Sequence, residues 1–347
     1  MRKLTIISLV LLALLGSGGA CERRKTTADV TASGRRHEFS PTVFHNEFAA
    51  TAAPALHVSS GDTIHTTTID ATGTDEKGVG RASAGNPQTG PFYVDGAEPG
   101  DTIAVHLTRL RLNRDWAISA DTLSNLAVTS ELAARIKVGG QLVRWRLDIP
   151  RGLAIRENAP DKLAQYVVPL KPMLGCIALA PAVTQPGPNT GEFGSWGGNL
   201  DFNEIVEGAT VYLPVSVPGG LLYVGDAHAA QGDGELNGSG LETSMDVEIV
   251  VDLLAKQTIS APRVESSTHL MAMGLGPSLD DALRNATSSM IDWLMGRYGL
   301  TFSEVAQVLG TAAEYRVSVV VGSHAGIVLK VHKDRLRSLT ATARASG

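Results

Sequence analysis

Between about residues 54 and 255 apolar and polar residues alternate with the two-residue period that sends successive side chains to opposite faces of a strand. Ile64, Thr66, Thr68 and Asp70 share one side of a predicted strand, and His65, Thr67 and Ile69 the other. PFYVD and DTIAVHLTRLRLN read as two strands about a turn at Ala97-Glu98-Pro99-Gly100. QLVRWRLDI with GLAIREN forms a predicted hairpin, and MLGCIALAPA, VYLPVSV and MDVEIVVDLL are further strands. The period changes near Pro262. Ser278 followed by Asp281 predicts a capped helix that runs to about Tyr298 and stops at Gly299. Ala282, Ala286, Met290, Trp293 and Leu294 form its apolar stripe. Thr301 and Glu304 repeat the cap for a shorter helix to about Leu309. RVSVVV and IVLKVHKD then pair about GSHAG, with His324 in the turn. Two Gly/Pro-rich loops, 74–91 and 183–201, interrupt the strands, and LAVTSELAARIKV in the stretch 112–165 reads as a short helix or loop insert.

One predicted strand ends in chemistry. Within LLYVGDAHAAQGDGELNGSGLETSM, residues 221–245, Leu222, Val224, Asp226 and His228 fall on one face, so an apolar face finishes in a carboxylate and an imidazole. Gly232 and Gly234 allow the chain to turn Asp233 and Glu235 back toward that pair. Glu242 opens the next alternating run. Carboxylates with one imidazole suit a divalent metal or general acid/base work; a Gly/Asp/Asn-rich segment between strands also serves as a plain surface hairpin. Asp70 ends its own strand either as a turn former or as a site group, and Glu98 is open between a turn and the site.

The run GDAHAAQGDGE resembles the acetamidase/formamidase family of amide hydrolases. Other segments match in the same order: Gly61-Asp62-Thr63 with Thr68-Ile69-Asp70-Ala71, the stretch from Asn86 to Asp101, Pro172 to Pro181, Gly197-Gly-Asn-Leu-Asp201, and Glu207 to Val215. Together they cover about residues 40–310. The resemblance implies a mainly β fold, a jelly-roll-like β-sandwich plus a β-barrel region with a C-terminal α+β unit. It implies hydrolysis of a small linear amide to carboxylate and ammonia; a metal-activated water would supply the nucleophile, and a metal-free site of paired carboxylates is the alternative. Asp226 and His228, with Asp70 and Asp201, become the candidate ligands. Zinc suits that donor set, whereas an all-carboxylate shell would favour calcium or magnesium. Asp233, Glu235 and Glu98 are candidate catalytic groups. Glu242, Gln231 and Asn199 are candidate supports of ligands or substrate. Two other readings stand beside this one: a non-catalytic envelope lipoprotein that binds a small polar ligand on the same scaffold, and an acidic turn that collects cations.

Composition narrows the partners. The 347 residues carry a net charge of −5 with no basic excess, which argues against nucleic acid. Thirty-seven glycines fit many turns and short strands. Arg2 and Lys3, the apolar run Leu4 to Leu15 and the small residues before Cys21 read as a secretory signal; its Gly-Gly-Ala-Cys end resembles a lipobox, apart from Gly18, with Cys21 as the expected lipidation site and simple cleavage and release as the alternative. That places the expected protein in the bacterial envelope or periplasm, touching the membrane only through the anchor, with a homo-oligomer compatible. With Cys21 set aside, Cys176 has no internal partner and reads as a buried thiol. The expected division is 1–21 signal, 22–37 tether, 38–170 N-terminal β domain, 171–255 barrel-like domain with the main motif, and 256–347 α+β unit.

Overall fold

A computed structural model describes residues 34–136, 140–182, 186–322 and 325–339. The signal segment with Cys21, most of the tether and His324 lie outside the described residues. Among those described, no helix is long and apolar enough to cross a membrane.

The strands form two large sheets. The first runs, edge to edge, Arg36–Glu38, Asp62–Thr68, Met245–Leu254, Thr102–Leu112, Thr210–Pro214, Arg263–Glu265, His269–Gly276, Ala325–His332 and Ala313–Val319. All neighbours in it are antiparallel except the first pair. The second runs Phe193–Gly194, Gly197–Asn199, Met173–Ala178, Leu222–His228, Glu242–Thr243, Trp116–Ala120, Leu142–Asp148, Leu153–Arg156 and Val167–Pro169. Thr89–Val94 joins it on Leu222–His228, with Leu56–Val58 outside. The fold is mainly β, and each sheet takes strands from widely separated parts of the chain.

The alternating pattern builds the core directly. Ile64, Val105, Leu107, Val247 and Ile249 from the first sheet pack in one buried cluster with Phe92, Leu174, Ile177, Leu222 and Val224 from the second. The helix Leu279–Tyr298 covers the other face of the first sheet's C-terminal strands. Ala282, Ala286, Met290, Trp293 and Leu294 pack on Leu270, Ala272, Ile327, Leu329 and Val331. Ser278 caps it by accepting from the Asp281 amide, and Gly299 ends it in left-handed conformation. The second helix, Phe302–Ala312, has the predicted Thr301/Glu304 capping box but runs one turn further than the expected Leu309. Among the described residues, LAVTSELAARIKV forms the short helix Ser130–Ala133, preceded by a 3-10 turn at Asn125–Ala127.

Gly274 marks where helix and sheet come closest. A Cβ there would overlap the Ala282 carbonyl and the Ala286 amide. Gly274→Ala is therefore expected to destabilise the protein by about 1–3 kcal/mol through overpacking. Urea unfolding measures this, and an unchanged midpoint would show that the helix shifts freely.

Candidate metal and amide site

The predicted motif strand, Leu222–His228, is buried along its whole length. It pairs with Met173–Ala178 on one side and with Thr89–Val94 and Glu242–Thr243 on the other. The pairing sets His228 opposite Glu242. Asp226 has a φ of 55°, a left-handed conformation that interrupts the regular strand and re-aims its carboxylate. Asp201 and Glu235 have φ of 42° and 48°. Three non-glycine residues in this sparsely populated region, all buried carboxylates of one cluster, are the backbone signature of a functional site.

His228 is the centre. Its Nε2 lies 3.5 Å from Asp226 Oδ1 and 3.3 Å from Glu242 Oε1. Asp226, His228 and Glu242 offer ligand atoms that all lie within 4.8 Å of one another, as do Asp201, His228 and Glu235. The other ring nitrogen, Nδ1, is 2.8 Å from Gln231 Oε1, while Gln231 Nε2 donates to the Asp201 carbonyl at 2.6 Å. With its Nε2 committed as donor, Gln231 offers His228 only an acceptor. Nδ1 therefore carries a hydrogen, and Nε2 is the nitrogen that faces the Asp226 and Glu242 carboxylates. His228 Nε2, Asp201 Oδ1 and Glu242 Oε2 are all buried without an aligned hydrogen bond. A cation there would account for the orphaned Asp201 and Glu242 oxygens, with the His228 ring then neutral and its Nε2 turned to the same ion.

The charges push on one another. Burial, with Glu235 and Asp226 nearby, holds the Asp201 carboxyl well above its usual range. Burial raises Glu235 to about 8 and Glu242 to about 7, against the pull of His228. Burial alone would lower His228, but Glu242 and Asp226 overcome it and raise the ring well above its ordinary value.

Gly175 leaves the room for this. A Cβ at that position would overlap Asp226 Oδ2 and stand 2.6 Å from Asp201 Oδ1. A chain of amides orients Asp201 from behind: Gln88 Nε2 donates to Asn86, Asn86 to Asn199 Oδ1 at 2.7 Å, and Asn199 to Asp201 Oδ2 at 2.6 Å.

The structure redistributes several expected roles. Asp70 is not in the ligand groups. Its Oδ1 accepts from the Thr72 and Thr74 amides and the Thr72 hydroxyl, and its Oδ2 takes Arg114 Nη2 at 2.7 Å. Asp233 points the opposite way from Glu235, to Arg316 and Asn203. Glu98 is exposed in its turn, where its amide donates to Asp101, remote in role from the cluster. Glu242, expected behind the candidate ligands, falls in one of the groups that could hold an ion. Asn199 and Gln231 support Asp201 and His228. Arg114, Asn86, Gln88 and Gly175 were not anticipated. Asn86 and Gln88 lie in a segment that the resemblance had marked, whereas nothing in the local pattern singles out Arg114.

Residues 161–331 match the model of the acetamidase/formamidase family. The chain resembles this family over just under half of its length. It is 29% identical over 199 residues to an acetamidase of Mycolicibacterium smegmatis, a match covering 49% of this chain and 48% of that protein. A formamidase of Methylophilus methylotrophus is 31% identical over 147 residues, covering 36% of each. The chain thus matches half or less of the length of these curated relatives. Structural likeness extends further. A predicted acetamidase/formamidase from the thermophile Thermoanaerobacter tengcongensis has a TM-score of 0.75 at 27% identity, covering 88% of this chain and 98% of that one.

Proposed function

We propose that the chain hydrolyses small linear amides to carboxylate and ammonia at the His228 cluster. The observation that carries this is the convergence of His228 Nε2 and the carboxylates of Asp226, Glu242, Asp201 and Glu235, in a chain that resembles the acetamidase/formamidase family. The donor set fits a divalent cation, with zinc the best match to one imidazole among carboxylates. Such an ion, when bound, lowers the pKa of water and polarises a carbonyl. Asp226, His228 and Glu242 would hold it, with Asp201 alongside. Gln231 fixes the His228 tautomer so that Nε2 faces the cluster. Glu235, whose carboxyl is raised to about 8, holds and releases a proton near neutral pH. It can take one from water and return it to the departing nitrogen, which must be protonated to leave as ammonia.

Ammonia release from formamide, acetamide and larger amides tests this, with zinc present and then with chelator. Turnover abolished by chelator and restored by zinc is the expected result. Turnover indifferent to chelator would remove the metal and keep the amidase; silence from folded protein across the panel would favour a binding protein.

The same cluster sets a pH dependence for the metal-stripped protein. Glu235 and Glu242 keep their protons in the native state up to about 8 and about 7, while the unfolded chain loses them near 4.5. The native state then binds more protons, so stability falls as pH rises through that window. Melting temperature in chelator is expected to drop between pH 5 and 8, and the drop should shrink in Glu235→Gln. An equal drop in that variant would refute the assignment.

A further inference from the structure

Gln231 and Glu235 both serve the cluster from one short loop, and that loop is held from outside by the C-terminal hairpin. Arg316, on the strand Ala313–Val319, reaches Asp233 through two nitrogens: Nη2 to Oδ1 and Nε to Oδ2, each at 2.5 Å. Its Nη1 lies 3.2 Å from Glu204 Oε1, which also takes the buried Lys330 ammonium from the neighbouring strand. Asn203, next to Glu204, donates to Asp233 Oδ1 at 2.9 Å and to the Gln231 carbonyl at 3.3 Å. Gly234 then pairs with the same hairpin: its amide donates to the Val317 carbonyl and its carbonyl accepts from the Val320 amide, both at 3.0 Å. Asp233 therefore points outward into a guanidinium clamp, while Glu235, two residues on, points inward to Asp201 and His228.

We propose that Arg316 is a positioning residue for the site. Its paired grip on Asp233, backed by Glu204 and Asn203, fixes the loop so that Gln231 and Glu235 meet His228. The role rests on the amidase reading for its kinetic part only. A planar two-nitrogen fork fixes a carboxylate in orientation as well as in place, which a lysine cannot reproduce. The backbone pairing at Gly234 ties the loop to the hairpin but does not orient the Asp233 carboxylate, which Arg316 and Asn203 hold.

Two measurements test this on the full chain. In Arg316→Met, kcat for the best amide is expected to fall about tenfold or more with KM little changed, since the loss is one of orientation. Arg316→Lys should recover little of it, and added guanidinium should restore part of the activity of Arg316→Ala. Tyr315→Phe, the adjacent residue, whose hydroxyl meets Thr287, should match wild type. Independently of any activity, hydrogen exchange of the segment 229–241 should accelerate in Arg316→Met while the strand Met245–Leu254 keeps its protection. A kcat within threefold of wild type, or loss of protection spread evenly over the protein, would overturn the proposal. If the wild-type chain releases no ammonia from any amide, the amidase reading fails and exchange alone decides the clamp. Unchanged exchange at 229–241 then overturns it.

Discussion

Asp226→Asn is expected to lower amide turnover by more than about 100-fold and to raise the stability of the metal-stripped protein. Residues that merely support a metal ligand are typically worth 10–100-fold, and Asp226 offers one of the candidate ligand atoms themselves. Asparagine keeps the size and tolerates the φ of 55°, so the backbone need not change. Above about pH 8, where Glu235 and Glu242 are ionised as well, it removes one negative charge from a crowded buried group, which relieves repulsion there. Opposite movements of activity and stability are what a site strained for function gives. Ammonia assays and thermal melts in chelator measure both, and a variant that keeps a tenth of wild-type turnover would take Asp226 out of the ligand set.

Arg114→Met is expected to cost about 3–5 kcal/mol of stability, because it leaves a buried carboxylate unpaired. Arg114 and Asp70 are almost completely inaccessible to solvent, with side chains 1% and 0% exposed. Arg114 also donates to the Trp116 and Asp75 carbonyls and stacks on the Trp116 ring, 3.4 Å from its centroid. It thus ties the strand end at Asp70 to the second sheet beside Glu242. Adding Asp70→Asn to Arg114→Met should recover part of the loss, since no charge is then stranded. Urea unfolding of the two singles and the double decides it. A single-variant cost below about 1 kcal/mol would mean that water reaches Asp70.

These two residues show how far the chain could be read before its fold. Asp226 and His228 were legible because strand periodicity is local: two residues apart at the end of an apolar face is a statement about neighbours. The same rule could not foresee that Asp226 leaves regular strand geometry, since a left-handed aspartate has no pattern around it. Asp233 and Glu235 looked equivalent, both flanking Gly234. Only the hairpin from residues 313–332, some eighty positions later, distinguishes the one held outside from the one turned in. Asp70 read as a turn former on its own and as a ligand only through the resemblance; its partner, Arg114, sits 44 residues on in the least patterned part of the chain. The helices were the most predictable elements, as caps, stripe and terminating glycine all act within a few turns.

The order of strands in the first sheet has a consequence for how the protein comes into being. Asp62–Thr68 finds its antiparallel neighbour only in Met245–Leu254, and that strand also joins Thr102–Leu112. A chain leaving the ribosome carries two finished strands with open edges until well over a hundred further residues have been made. Closing loops of that length makes folding slow, and unpaired β-edges are sticky while they wait. Newly made chains should therefore be far more prone to aggregate, and more dependent on chaperones, than the finished protein.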